Sequence, residues 1–129
     1  MPAYQNTFGE NGLATYSDSD EHVLASNPIP DNCAGSIEFH IVARRVSNGA
    51  AKLFVFRTGF KRSTGAVTIF GLELLNTLGT VGDLIALALV AADVQANDDA
   101  IDLVISGLAS VELDWGCITA GKYLQHVEE

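Results

Sequence analysis

The stretch that decides the fold is Gly35-Ser36-Ile37-Glu38-Phe39-His40-Ile41-Val42-Ala43-Arg44-Arg45, followed by Val46-Ser47-Asn48-Gly49. Ile37, Phe39, Ile41 and Ala43 alternate with Glu38, His40, Val42 and Arg44, the period of two that a strand shows when one face is buried and the other is wet. Asn48-Gly49 supplies the positive φ angles that a hairpin turn requires. The run therefore predicts a strand that ends in a chain reversal.

Toward the C-terminus the pattern repeats. Lys52 to Lys61 predicts a second strand with Phe54, Phe56 and Phe60 on one side and Leu53, Val55 and Gly59 on the other. Lys61-Arg62-Ser63-Thr64-Gly65 makes the next turn, and Val67 to Leu75 is rich in branched and aromatic residues suited to a third strand. Glycines and threonines between Asn76 and Gly82 predict a longer connection. Asp83 to Val94 has the Leu and Ala content of a helix, yet Ile85, Leu87 and Leu89 alternate with Ala86, Ala88 and Val90. Among neighbours that are all strand and turn it reads as a strand. After the turn at residues 95–99, Ala100 to Ser106 forms the next strand. The last, Val111 to Thr119, points Val111, Leu113, Trp115 and Cys117 inward. About six strands at short spacing predict an all-β domain over residues 29–121, an antiparallel β-sandwich or partly closed barrel. Residues 122–129 follow as an acidic tail.

Residues 1–28 read differently. They are rich in Asn, Ser, Asp and Gly, and their apolar residues stand singly with no period. This predicts an extended N-terminal segment that is either a frayed tail, the default for a monomer, or an arm that orders by laying Tyr4, Phe8, Leu13 and Tyr16 on a neighbouring molecule.

A chain of 129 residues is long enough for one domain with its own core. Hydrophobic content of 48% against 18% charged residues describes an ordered globular chain. Seven basic against sixteen acidic residues give a formal charge of −9, whose field repels phosphate backbones and anionic membranes and argues against nucleic acid as a partner. The longest apolar stretch, Leu84 to Ala92, is too short to span a bilayer, and the start has no leader-like run. The expectation is a soluble product of the cytoplasm. There, Cys33 and Cys117 are expected to remain reduced as small buried hydrophobes, although a bridge between them would close a long loop and be worth on the order of 4 kcal/mol.

Hydrolytic chemistry needs a nucleophile, a base and an orienting acid. His22, His40 and His126 are the available imidazoles, and none has a partner in a sharp nucleophile turn. Asp18, Asp20, Glu21 and His22 form the densest cluster of metal-ligand types, but the glycine and distant glutamate of a calcium loop are missing. The cysteines lack zinc-ligand spacing, and no glycine-rich phosphate cradle occurs. The reading is a protein without enzymatic activity, metal or cofactor. Arg44, Arg45, Lys52, Arg57, Lys61 and Arg62 all fall within one short segment, and Arg44, Arg57, Lys61 and Arg62 are the candidates to meet acidic neighbours.

Four motifs, Ile29-Pro30-Asp31-Asn32, Ile41-Val42-Ala43-Arg44-Arg45, Gly59-Phe60-Lys61-Arg62 and the strand around Trp115, resemble a small β-domain found in structural proteins of tailed-bacteriophage virions. The chain departs from that pattern at Cys33, at Leu74-Leu75-Asn76-Thr77-Leu78-Gly79-Thr80 and at Gly116-Cys117. The resemblance implies a homo-oligomer, generally a trimer. As a capsid decoration, or cement, protein it would sit on the capsid surface of the virion, bind the major capsid protein, and be assembled in the host cytoplasm. The alternative is a tail fibre or tail adaptor module that touches host glycans.

Overall fold

The computed structural model describes residues 2–5, 11–47, 49–81 and 90–126. Among these the chain is all-β, with strands β1 (Pro2–Gln5), β2 (Asn11–Tyr16), β3 (Glu21–Pro28), β4 (Cys33–Arg45), β5 (Ala51–Arg62), β6 (Thr68–Val81), β7 (Ala91–Asn97), β8 (Ala100–Ser106) and β9 (Leu113–His126). They form two antiparallel sheets. One is a six-stranded sheet in the order β1-β9-β4-β5-β6, with β2 also on β9, and the other is a three-stranded sheet in the order β3-β8-β7. β1 lies against Tyr123–His126 and β2 against Leu113–Ile118, so these two short strands share one edge of β9.

The alternation of β4 is realised: Ile37, Phe39, Ile41 and Ala43 are buried, while His40, Val42 and Arg44 are exposed. Its turn follows the Asn-Gly expectation in part, with Gly49 at φ 75° and its N–H donating to Arg45 O at 2.8 Å; Asn48 lies outside the described residues. β5 contributes Phe54, Phe56 and Phe60 to the same face, and β9 contributes Leu113, Trp115, Cys117 and Tyr123. Ile101, Leu103 and Ile105 of β8, with Leu24 and Ala25 of β3 and Val94 of β7, belong to the same hydrophobic cluster. The two sheets therefore stack as a sandwich around one core and do not close into a barrel.

Three sequence expectations differ from the structure. Residues 11–28 are not set apart as an arm: β2 and β3 are paired into the two sheets, and Leu24, Ala25 and Asn27 are buried. A register shift between Val23 and Ala25 places Leu24 and Ala25 inward together, which erases the alternation a sequence reader looks for. β6 continues through Val81, so the connection expected over residues 76–82 is strand up to Val81; β5 holds Asn76 and Thr77 in register through Val55 and Phe54. β9 runs on to His126 past the expected end of the domain, because β4 and β1 both offer it a ladder. Of the strand expected over residues 83–94, residues 83–89 lie outside the described residues, and Ala91–Val94 opens β7.

Both cysteines are buried, and neither is in a disulfide. Cys33 pairs in register with Gln125, eight positions beyond Cys117 on β9, which separates them by roughly 27 Å of strand, far outside bridging distance. Burial pushes the Cys33 thiol above its ordinary value of 9.0, against the opposing pull of Arg62, so it is a neutral thiol that donates to Pro30 O at 3.0 Å.

One core residue is mismatched to its surroundings. Thr119 is buried opposite Phe39, and its Oγ1 has no hydrogen-bond partner among the described residues. Thr119→Val, which keeps the branch and removes the unpaired hydroxyl, is expected to raise stability by about 1 kcal/mol. Phe39→Ala is expected to lower it by about 3–5 kcal/mol through cavity formation. Urea denaturation at neutral pH measures both.

Candidate interaction face

The pleat that turns one side of the six-stranded sheet inward presents the other to solvent, and register determines which side chains share it. Across β2, β9, β4 and β5 the rows are Thr15, Asp114, Arg44 and Ala51; then Leu13, Gly116, Val42 and Leu53. Next come Ile118, His40 and Val55, and then Ala120, Glu38 and Arg57, with Glu73 of β6 beside Arg57. Two adjacent apolar rows thus lie between two charged ones. Leu13 is 88% exposed and Ile118 61%, values unusual for large aliphatic side chains grouped on one face.

Gly116 lies at the centre of this area, where a Cβ would meet only Leu13 Cδ2, at 3.5 Å. The protomer itself therefore has room for a side chain there, and glycine leaves a hollow. Leu13, Val42 and Ile118 surround it, with Arg44, His40 and Asp114 at the rim of a shallow groove of about 500 Å³. Asp114 accepts a hydrogen bond from Thr15 Oγ1 at 2.7 Å. Arg44 stands directly opposite Asp114 in register, yet its guanidinium lies toward Gly49. Gly59 is a contrasting case: a Cβ there would strike the Phe70 ring, so a side chain at this position would displace the aromatic from β6 that covers it.

The residues expected to bind partners separate into distinct places. Leu13, Arg44, Arg57 and Lys61 share the outer face. Its cations do not form a continuous basic surface, since Arg57 pairs with Glu73 at 3.3 Å and His40 pairs with Glu38 at 2.9 Å. Arg62 is half-buried; it donates to Ile29 O and Gly65 O, each at 2.6 Å, and faces Asp31 at 3.0 Å. It ties the Ile29–Asn32 segment to the β5–β6 turn, a structural role. Tyr16 is half-buried and stacks on His22, with ring centroids 3.7 Å apart. Tyr4 lies in β1 opposite Leu124, and Phe8 lies outside the described residues.

A second, polar groove of about 380 Å³ lies on the outer side of the three-stranded sheet. Its Asp102, only 4% exposed, accepts hydrogen bonds from Ser26 Oγ at 2.6 Å and Asn97 Nδ2 at 3.0 Å. His22 uses its Nε2 on Asp18, so hydroxyl, imidazole and carboxylates are committed to separate pairs. Among the described residues no group of three or more His, Cys, Asp or Glu converges as a metal site, and no helix is long and apolar enough to cross a membrane.

The fold and its exposed face define a small antiparallel β-sandwich with an apolar outer sheet surface. In comparisons with known proteins, the chain matches no family model and no curated sequence.

The hydrogen bond from His22 is the main cause holding the Asp18 carboxyl below its ordinary value of 3.8; partial burial opposes it, and the Asp20 N–H adds to it. A carboxylate whose folded value is depressed contributes stability that is present above 3.8 and is lost as pH falls through the folded value. Asp18→Asn should therefore be less stable than the parent at about pH 6, and the difference should vanish by about pH 2, as read from urea midpoints.

Proposed function

We propose that the protein is a structural component of a tailed-bacteriophage virion: a decoration protein on the capsid surface that binds the major capsid protein and associates with its own copies. Two lines support this reading. The first is the resemblance carried by Ile29–Asn32, Ile41–Arg45, Gly59–Arg62 and the Trp115 strand. The second, which carries most of the weight, is the exposed apolar face around Leu13, Val42, Gly116 and Ile118. An uncovered apolar surface on a rigid sheet is what a protein needs when burial happens only on assembly.

Assembly also explains how weak contacts suffice. A shell repeats the same contact many times, and a copy held at one contact meets its next at a high effective concentration. In this reading Tyr4, on β1 where it pairs with β9, and Phe8 serve the contact with the major capsid protein. The trimer that the resemblance implies would be built through surfaces of different kinds on neighbouring copies, since a three-fold contact is heterologous.

The decisive measurement is copy number per particle, from stained bands relative to the major capsid protein. A decoration protein is expected near lattice stoichiometry, whereas a tail fibre or adaptor would be present in a few to a few tens of copies. Deleting residues 1–10, which leaves β2 onward intact, is expected to reduce retention on particles with little change in the circular dichroism of the purified protein. Unchanged retention would remove Tyr4 and Phe8 from the capsid contact.

A further inference from the structure

We infer that the occupant of the apolar outer face is a second copy of this chain, docked face to face about a two-fold axis that runs parallel to the strands between β4 and β9. The inference starts from the assembly reading above and names the partner of that face.

Three observations select a second copy. The first is charge. Asp114 and Arg44 lie at equal steps on either side of the line between β9 and β4. A two-fold rotation about that line brings each Arg44 over the partner's Asp114, and the reverse. Arg44 has no hydrogen bond or ion pair among the described residues, so its guanidinium is available to the partner, while Thr15 already orients Asp114. One patch thus carries both halves of its own complement, the requirement for an isologous interface.

The second is shape. The same rotation sets Val42 over the partner's Gly116, because these two residues are also register partners across β4 and β9. The hollow at Gly116, which packing within the protomer does not demand, receives the side chain at the spot where the other sheet approaches closest. Glycine inside a strand weakens it, and such positions often mark the close approach of another chain. Leu53 falls over the partner's Leu13, and His40 over the partner's Ile118, so the two apolar rows cover each other.

The third is extent. Five strand positions at about 4.8 Å spacing and the roughly 20 Å of strand from Arg44 to Glu38 make a face of about 500 Å², or about 1,000 Å² over two copies, the size at which a specific interface begins. Two such sheets pack about 10 Å apart with strands crossing at roughly 30°. The formal charge of −9 opposes contact elsewhere on the surface, whereas this patch balances Arg44 against Asp114.

The test uses the purified full chain without particles, in about 0.15 M salt, with mass read by light scattering and native mass spectrometry. A two-fold contact gives a dimer, or a hexamer when a three-fold contact is also present. Val42→Asp, Gly116→Val and Arg44→Asp each place the change on the exposed face. Each is expected to weaken the two-fold association more than about tenfold, with unchanged circular dichroism and melting. Arg44→Asp combined with Asp114→Arg exchanges the two charges across the axis and is expected to restore the parent mass. A monomer, a trimer that Val42→Asp leaves intact, or a double exchange that fails to restore association would each overturn the inference. The copy-number measurement is separate: a dimer with tail-like copy number would leave this contact standing and end the decoration reading, and lattice stoichiometry with a monomer in solution would do the reverse.

Discussion

The ladder between β4 and β9 is the constraint from which the rest of the structure follows. It joins Cys33–Arg45 to Leu113–Gln125 without a register shift, and β9 offers its other edge to β1 and β2. Because side chains alternate, this single register sends Phe39, Ile41, Trp115 and Cys117 into the core together. A slip of β9 by one residue against β4 would turn Trp115 and Cys117 outward and bring Asp114 and Ile118 inward. Burial of Phe39, Ile41, Trp115 and Cys117 on one side of one ladder is therefore what makes the register unique.

The outer face is the other product of the same ladder. Leu13, Val42 and Ile118 are far apart in the chain, and only pairing through β9 makes them neighbours. The loops are held by different means. Arg62 bonds two carbonyls from separate turns, and the β7–β8 turn accepts N–H groups from Ile29 and Val67 at 2.7 Å each. The sandwich is thus pinned at one end by polar contacts, which leaves the exposed sheet surface free of structural duty.

Much of the fold was legible in the sequence because β4, β5 and β9 each bury one face, and the alternation survives in residues such as Ile37-Glu38-Phe39-His40 and Leu113-Asp114-Trp115; β8, buried along its length from Ala100 to Ile105, was legible from Ile101, Leu103 and Ile105. β2 and β3 were not legible. They are short and polar, and the bulge at Val23–Ala25 breaks their period, so their strand character comes from partners about eighty to a hundred residues away. Of the residues expected to bind partners, Leu13 lies on the exposed face as a solvent-facing side chain. Arg62 carries the same charge as Arg44 and Arg57 in the sequence, yet its role depends on the carbonyls that surround it. The apolar face itself was only partly visible: Gly116 and Ile118 fall on the outward side of the predicted last strand, but only the register of β9 with β2 and β4 brings Leu13 and Val42 beside them.

The position of β9 in the chain has a consequence for how the molecule comes into being. Among the described strands it comes after all the others in chain order, and it lies in the interior of the larger sheet, so the β4–β5 hairpin emerges with one long edge and an apolar side uncovered. Completion of the sheet must wait until Leu113–His126 has left the ribosome, and its ladders link distant positions, a topology that folds slowly. The nascent chain passes through a period when its β4 edge is open to stray strand pairing, and any product truncated before Leu113 would remain in that state.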